Sequence, residues 1–425
     1  MSNMDRRSFI KLLGAATGVG LAGAPFITSA AEMLPKKGRR VVVIGGGYGG
    51  SIVAKYIRIN DPSIEVVMIE RDRKFVSCPF SNTVIAGFRD IKDLTITYDK
   101  LAANNGIKVV HDEVTAVDTS AKKVVVSGGT ISYDRLVLSP GIDFRFEEIE
   151  GYDPVATPKV IPHAWKAGEQ TLLLHKQLVN LPKGGTVLMS IPEMPFRCPP
   201  GPYERISLFA WYLKNHNPSA KIIVLDANQD IVSKGKLFKM AWAKHYEGLI
   251  DYRPTHKVVK VNTRKRSVDS GEGDIEADLV NLVPPQKAGL IAHKAGVVGE
   301  DKKWCPVNQM TFESTIAKNV HVIGDACMAG VMPKSGYSAN SQAKVCATNI
   351  VQLMNGKELI DPSHVNVCYS FVAEKEAVSV AGIYKVAEGK TIAVPNSGGV
   401  SPDLSELEAI YAKSWIKNIL HEMSS

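Results

Sequence analysis

None of the six cysteines stands in a CxxC or CxxCH arrangement, which excludes a zinc ribbon, an iron–sulfur centre and an attached haem from the expected chemistry. No run of lysine and arginine is interleaved with aromatics; Arg264, Lys265 and Arg266 form a basic triplet of the kind found in solvated loops. Nucleic-acid binding is therefore not expected, in spite of a formal net charge of +8. Internal repeats and low-complexity tracts are also missing. Beyond the first thirty or so residues no apolar run has the length of a membrane span, so stable membrane insertion is not expected. What remains is 425 residues, 45% hydrophobic and 22% charged, enough for two or three cores of an ordinary α/β protein.

The first 31 residues read as a segment apart from the fold. Arg6 and Arg7 precede Ser8, Phe9, Ile10 and Lys11, then a Gly/Ala-rich apolar stretch and the small residues Thr28, Ser29, Ala30 and Ala31. That order is a twin-arginine export signal, which places the mature chain in the periplasm, where disulfides persist.

After it, apolar runs alternate with helical patterns. Strands are expected near residues 39–44, 66–70, 108–110 and 136–139, with a helix over 51–60 between the first two. A second α/β block follows, with strands over 185–191, 221–226 and 279–283 and a helix over 203–215. A strand over 320–323 and a helix over 338–354 come next, then a tail of separate character. The pattern gives an α/β fold of two Rossmann-like dinucleotide-binding domains, one inserted in the other, plus a small C-terminal α+β domain. The expected boundaries are 36–150 and 286–358 for the two parts of an FAD-binding domain, 151–285 for the insert and 359–425 for the tail.

Gly45, Gly47 and Gly50 make GxGxxG between a strand and a helix. The first glycine permits the tight turn, the second lets backbone N–H groups approach a pyrophosphate, and the third lets the helix pack close. Glu70 ends the next strand, where an acid accepts hydrogen bonds from a ribose. Two later pieces favour FAD over NAD. Residues 133–141, YDRLVLSPG, and 320–325, VHVIGD, resemble the return strand and second fingerprint of two-domain FAD reductases of the glutathione reductase type. In that fingerprint Asp325 holds the ribityl or pyrophosphate portion. The backbone at residues 336–338, rather than Lys334, is then expected to face the flavin. The insert lacks the matching glycine turn: residues 190–202 read SIPEMPFRCPPGP, where prolines remove donors and bulky side chains keep a pyrophosphate away. Nicotinamide binding is expected to be lost there.

The flanks of three cysteines, VSCPFSN around Cys78, CPPGPYER from Cys198 and CYS from Cys368, resemble the flavoprotein subunit of flavocytochrome c sulfide dehydrogenase. The resemblance implies a sulfide dehydrogenase with covalent FAD, linked through an 8α-S-cysteinyl thioether at Cys78. It implies a redox-active disulfide between Cys198 and Cys368, and haem c on a separate c-type cytochrome subunit that takes the electrons one at a time. Hydrosulfide attacks Cys198 by thiol–disulfide exchange and leaves the thiolate on Cys368. Glu204 then stands as a local acid–base, or else as a surface acid on its helix. Cys305, Cys327 and Cys346 are read as packing thiols. A sulfide:quinone oxidoreductase, with the helix around Leu407, Ile410, Tyr411, Trp415 and Ile419 as a membrane foot, is the nearest rival. An accessory thiol-redox flavoprotein serving a sulfur carrier is another; a type II NADH dehydrogenase would need the missing glycine turn.

Overall fold

The computed structural model describes residues 32–425, so the export signal expected over 1–31 lies outside the described residues. In chain order the elements that position the site are β1 (Arg40–Ile44), α1 (Gly50–Asn60), β2 (Glu65–Ile69), β3 (Lys108–Val110) and β4 (Arg135–Leu138). Next come β5 (Thr186–Ile191), α2 (Gly201–His216), β6 (Lys221–Asp226), α3 (Gly235–His245), β7 (Ile250–Arg253) and β8 (Leu279–Leu282). The chain closes with β9 (Val320–Val322), α4 (Gly336–Met354), β10 (Ser363–Phe371), β11 (Ala377–Ala387), β12 (Lys390–Ala393) and α5 (Glu406–Ser424).

β1 is a run of valine and isoleucine behind an arginine, buried at every position, as a central strand covered on both faces requires. α1 turns Ile52, Val53 and Ile57 inward at helical spacing and lies against the sheet. The first sheet runs β9-β4-β1-β2-β3 and is parallel throughout. The second runs β7-β6-β5-β8, also parallel. Because β9 joins the first sheet only after the second is complete, one nucleotide-type fold is inserted in the other, as the sequence pattern implies.

The tail forms a third layer, the antiparallel sheet β10-β11-β12 with α5 packed on it. α5 buries Ala409, Ala412, Ile416, Ile419 and Met423, and leaves Leu407, Ile410 and Tyr411 about half exposed, at 51%, 51% and 48%. Its apolar residues thus divide between two faces. Among the described residues no helix is long and apolar enough to cross a membrane.

Candidate functional site: a dinucleotide cleft joined to a sulfur cavity

The cleft opens at the carboxyl ends of β1 and β2, where parallel sheets of this kind collect ligands. Gly45 sits at φ +100°, a conformation side chains avoid, and a Cβ there would meet the Ser139 carbonyl. A Cβ on Gly50 would collide with the Gly45 carbonyl, so α1 starts against the turn only with glycine. Gly47 differs. The nearest atom to an added Cβ would be the Phe75 ring at 3.5 Å, so no protein atom forbids a side chain there; the residue faces open cleft. A ligand approaching the backbone would explain that glycine.

Glu70 braces the turn from below: Gly46 N–H donates to its Oε2 at 2.7 Å and Asp72 N–H to its Oε1 at 3.1 Å. Its remaining lone pairs face the cleft, where a ribose hydroxyl would reach them. At the other end, Asp325 Oδ1 is sealed from solvent with no hydrogen-bond partner among the described residues. Burial pushes its carboxyl up, opposed by Arg197 and Lys334. A buried carboxylate oxygen without a donor is costly, and a ligand hydroxyl in the cleft would supply one. The cleft measures about 790 Å³, and both the open glycine and the orphaned oxygen fit a dinucleotide.

Lys334 is not solvated. Its Nζ donates to the carbonyls of Asp325 at 2.7 Å and Cys327 at 2.9 Å and lies 3.8 Å from the Trp304 ring centroid, fixing the turn that presents Asp325. The start of α4 does line the cleft, through Gly336 and Ala339.

A second cavity of about 70 Å³ adjoins the first. Cys198, Cys368 and Glu204 line it, with Trp165, Tyr337 and Trp415 as aromatic walls; Cys78, Pro79, Arg197 and Gly336 border both spaces. The proline-rich loop between β5 and α2 carries Cys198 there. Cys198 adopts φ +58°, its N–H donates to the Lys334 carbonyl at 2.8 Å, and its carbonyl accepts Gly201 N–H at 2.8 Å. A non-glycine residue so strained is held by its surroundings. Phe80, two positions after Cys78, is likewise at φ +71°.

All six cysteines are free thiols, and Cys198 and Cys368 line one cavity. Their proximity splits their acidity. Cys198 is raised well above the ordinary thiol range by Cys368 and by burial. Cys368 is lowered to about 7 by Cys198, aided by Lys234 and opposed by burial. Cys78 Sγ accepts from Ala167 N–H at 3.3 Å and Arg197 Nη2 at 3.4 Å, at the cleft wall. Cys305, Cys327 and Cys346 are buried, and burial pushes the first two up to about 12.

Glu204 is a buried acid rather than a surface one. Its Oε2 accepts from Asn82 Nδ2 at 2.7 Å and its Oε1 from Phe371 N–H at 2.9 Å; burial raises its carboxyl in spite of both. Arg205 fixes Asn82 in turn, donating to its Oδ1 at 2.9 Å, and also binds the carbonyls of His163 and Ala164. Sequence reasoning missed Arg197, Arg205, Asn82 and Lys234. Arg197 and Arg205 at least flank Cys198 and Glu204; nothing in the sequence marks Lys234.

Family models match three stretches of the chain. They are pyridine nucleotide-disulphide oxidoreductase over residues 39–172, the central part of the sulfide dehydrogenase [flavocytochrome c] flavoprotein chain over 171–284, and the flavin-binding part of flavocytochrome c sulphide dehydrogenase over 360–423. A sulfide dehydrogenase [flavocytochrome c] flavoprotein chain from Chlorobaculum thiosulfatiphilum is 59% identical over 46 residues, which are 11% of this chain and 96% of that relative. In fold, the chain is similar to the sulfide:quinone oxidoreductase of Aquifex aeolicus, with TM-score 0.73 and 20% identity over 91% of this chain and 92% of that one. It is also similar to a NAD-dependent persulfide reductase from A. fulgidus, with TM-score 0.63 and 17% identity over 91% and 77%. The chain belongs to the flavoprotein chains of flavocytochrome c sulfide dehydrogenase.

Proposed function

We propose that this flavoprotein oxidises sulfide at a Cys198–Cys368 disulfide and hands the electrons, through FAD, to a separate c-type cytochrome subunit. The observation that carries the reading is the meeting of Cys198 and Cys368 in one small cavity that shares Cys78 and Arg197 with the dinucleotide cleft. A cavity of about 70 Å³ admits an anion of hydrosulfide size. Hydrosulfide attacks Cys198 Sγ, the S–S bond breaks, and its electron pair stays on Cys368 Sγ; Cys198 keeps the incoming sulfur as a persulfide. The acidities of the two thiols favour that direction, since Cys368 is the better thiolate and so the better leaving group. Glu204, with its carboxyl raised by burial, serves as the acid–base beside the pair.

Gly45, Gly47, Gly50, Glu70 and Asp325 would hold FAD, with Cys78 as its covalent thioether anchor. Bound FAD accepts electrons as a pair and releases them singly, as a haem acceptor requires. The loop at residues 190–202, where a nicotinamide-binding glycine turn would stand, instead delivers Cys198 and Arg197 to the cavity. Export by the twin-arginine route would place the protein in the periplasm, with the tail at 359–425 capping the flavin and meeting the partner.

Quinone is the second reading, favoured by the half-exposed Leu407, Ile410 and Tyr411 on α5. Steady-state assays with cytochrome c and a soluble quinone decide between acceptors. Stopped-flow reduction by sulfide of Cys198→Ser and Cys368→Ser tests the disulfide: both variants should lose the fast phase, and an unaltered rate in either defeats the proposal.

A further inference from the structure

Lys234 is a lysine in an unusual place. It caps the start of α3 at φ +56°, and only 6% of it is exposed. Its Nζ crosses from the inserted fold to the C-terminal sheet, donating to Ser370 Oγ at 2.8 Å and to the Cys368 carbonyl at 3.2 Å. Both acceptors are neutral, and among the described residues no carboxylate lies within ion-pair distance of this ammonium. A buried charge without a counter-ion is expensive, so a position built to hold one implies that negative charge arises nearby.

The neighbours able to carry that charge are Cys368, Glu204, Cys198 and, from α5, Glu408, with Cys368 the strongest. Successive residues of a strand alternate in direction, so Ser370 and Cys368 project to the same face of β10, and the ammonium bonded to Ser370 lies on the thiol's side. Arg197 acts on Cys198, and Arg205 acts on Glu204 together with Lys234, but at Cys368 the cation that acts is Lys234.

We propose that Lys234 is a positioning residue that supplies the countercharge for a thiolate on Cys368. The proposal rests on reading Cys198 and Cys368 as the redox pair. In the exchange step hydrosulfide brings one negative charge to Cys198 Sγ, the disulfide bond breaks, and the same charge departs on Cys368 Sγ; the proton stays on the new persulfide, for Glu204 to take afterwards. Lys234 meets that charge where it lands, so the leaving thiolate is stabilised before any solvent reaches it.

The test uses the FAD-loaded full chain, reduced with a dithiol, freed of reductant and alkylated with iodoacetamide across pH 5.5–9. The Cys368 peptide is quantified by mass spectrometry. In the unaltered protein Cys368 should alkylate with a midpoint near 7. Lys234→Met should raise the midpoint, slowing Cys368 alkylation at neutral pH by about tenfold. Lys234→Arg, which keeps the charge, should restore most of the rate. A Lys234→Met protein with intact near-ultraviolet dichroism and flavin content but an unmoved midpoint overturns the proposal. So does an Arg variant as impaired as the Met variant, because the role would then be shape alone. Should Lys234→Met not fold, Ser370→Ala removes only the hydroxyl that aims Nζ; it should raise the midpoint by a smaller amount, and no change overturns the idea. Wild-type protein inert to sulfide, yet with the Lys234-dependent midpoint, would remove the sulfide reading while leaving the countercharge role standing.

Discussion

Glu204 accepts the backbone N–H of Phe371 at 2.9 Å, which ties the helix that follows Cys198 to the strand that carries Cys368. The carboxyl therefore does two things that separate variants can tell apart: it holds the two cysteine-bearing elements in register, and it sits beside the pair with a raised proton affinity.

Glu204→Gln keeps an acceptor for Phe371 and should leave the fold intact, while sulfide-dependent flavin reduction slows by about 10²–10⁴. A base must be ionised to act, so the wild-type rate should rise with pH through a point above the ordinary glutamate value. That limb should vanish in the Gln variant. Glu204→Ala should in addition cost about 1–3 kcal/mol, because it strands the Phe371 N–H and leaves the Asn82 amide only the Gly201 carbonyl. Persistence of the acid limb in Glu204→Gln would assign it to another group.

Cys78 stands at the cleft wall with Arg197 Nη2 at 3.4 Å from its sulfur, where the proposed thioether to the flavin would form. Acid-denatured wild-type protein should keep yellow fluorescence on the polypeptide, and Cys78→Ala should release all flavin to the supernatant. Flavin freely lost from the wild type would remove the covalent link. Arg197→Met should lower the covalently held fraction without abolishing FAD binding, since the glycine turn is untouched.

The parallel sheets were legible because their strands are short β-branched runs, and the phosphate turn because Gly45 and Gly50 answer to local geometry that sequence spacing records. The flanks of Cys198, Cys368 and Cys78 single out three residues that line one cavity. The contacts around them were not legible. Asn82, Arg205 and Lys234 reach the cavity through pairings between residues far apart in the chain, and a lone lysine before a glycine reads as surface charge whatever it later touches. Lys334 is hidden from the sequence in the same way: two backbone carbonyls satisfy it inside the fold, and no spacing rule announces them. On α5 the sequence shows one apolar set, whereas packing on β10 and β11 buries Ile416 and Ile419 and leaves Leu407 and Ile410 outside.

Asp325 offers a test of flavin binding that is independent of turnover. Its Oδ1 makes no bond among the described residues, so Asp325→Asn removes a buried charge without breaking an observed contact at that atom. The flavin-free fold should be no less stable, and FAD should be held about tenfold more weakly, the worth of one lost charge-assisted hydrogen bond. The Asn change is best read in the Cys78→Ala background, where retention is non-covalent and equilibrium dialysis reports affinity directly. Equal affinity in both proteins would place Asp325 outside the flavin's contacts.

Three buried histidines should weaken the fold in acid. His163 is depressed to about 3, His321 to about 4 and His364 to about 4, each chiefly by burial. In the unfolded chain they titrate near 6.5. Between the folded and unfolded values the unfolded state binds the extra protons, so stability is whole above pH 6.5 and falls as pH drops toward 4. His364 isolates the effect, since neither ring nitrogen has a partner among the described residues and the ring packs edge-on against Phe312. His364→Leu should melt above the wild type at pH 5, with the gap narrowing by pH 7.5, because only the wild type must keep a proton off a buried imidazole. Differential scanning fluorimetry at pH 5, 6 and 7.5 measures this, and a gap that stays constant with pH would show that His364 does not contribute to the acid limit.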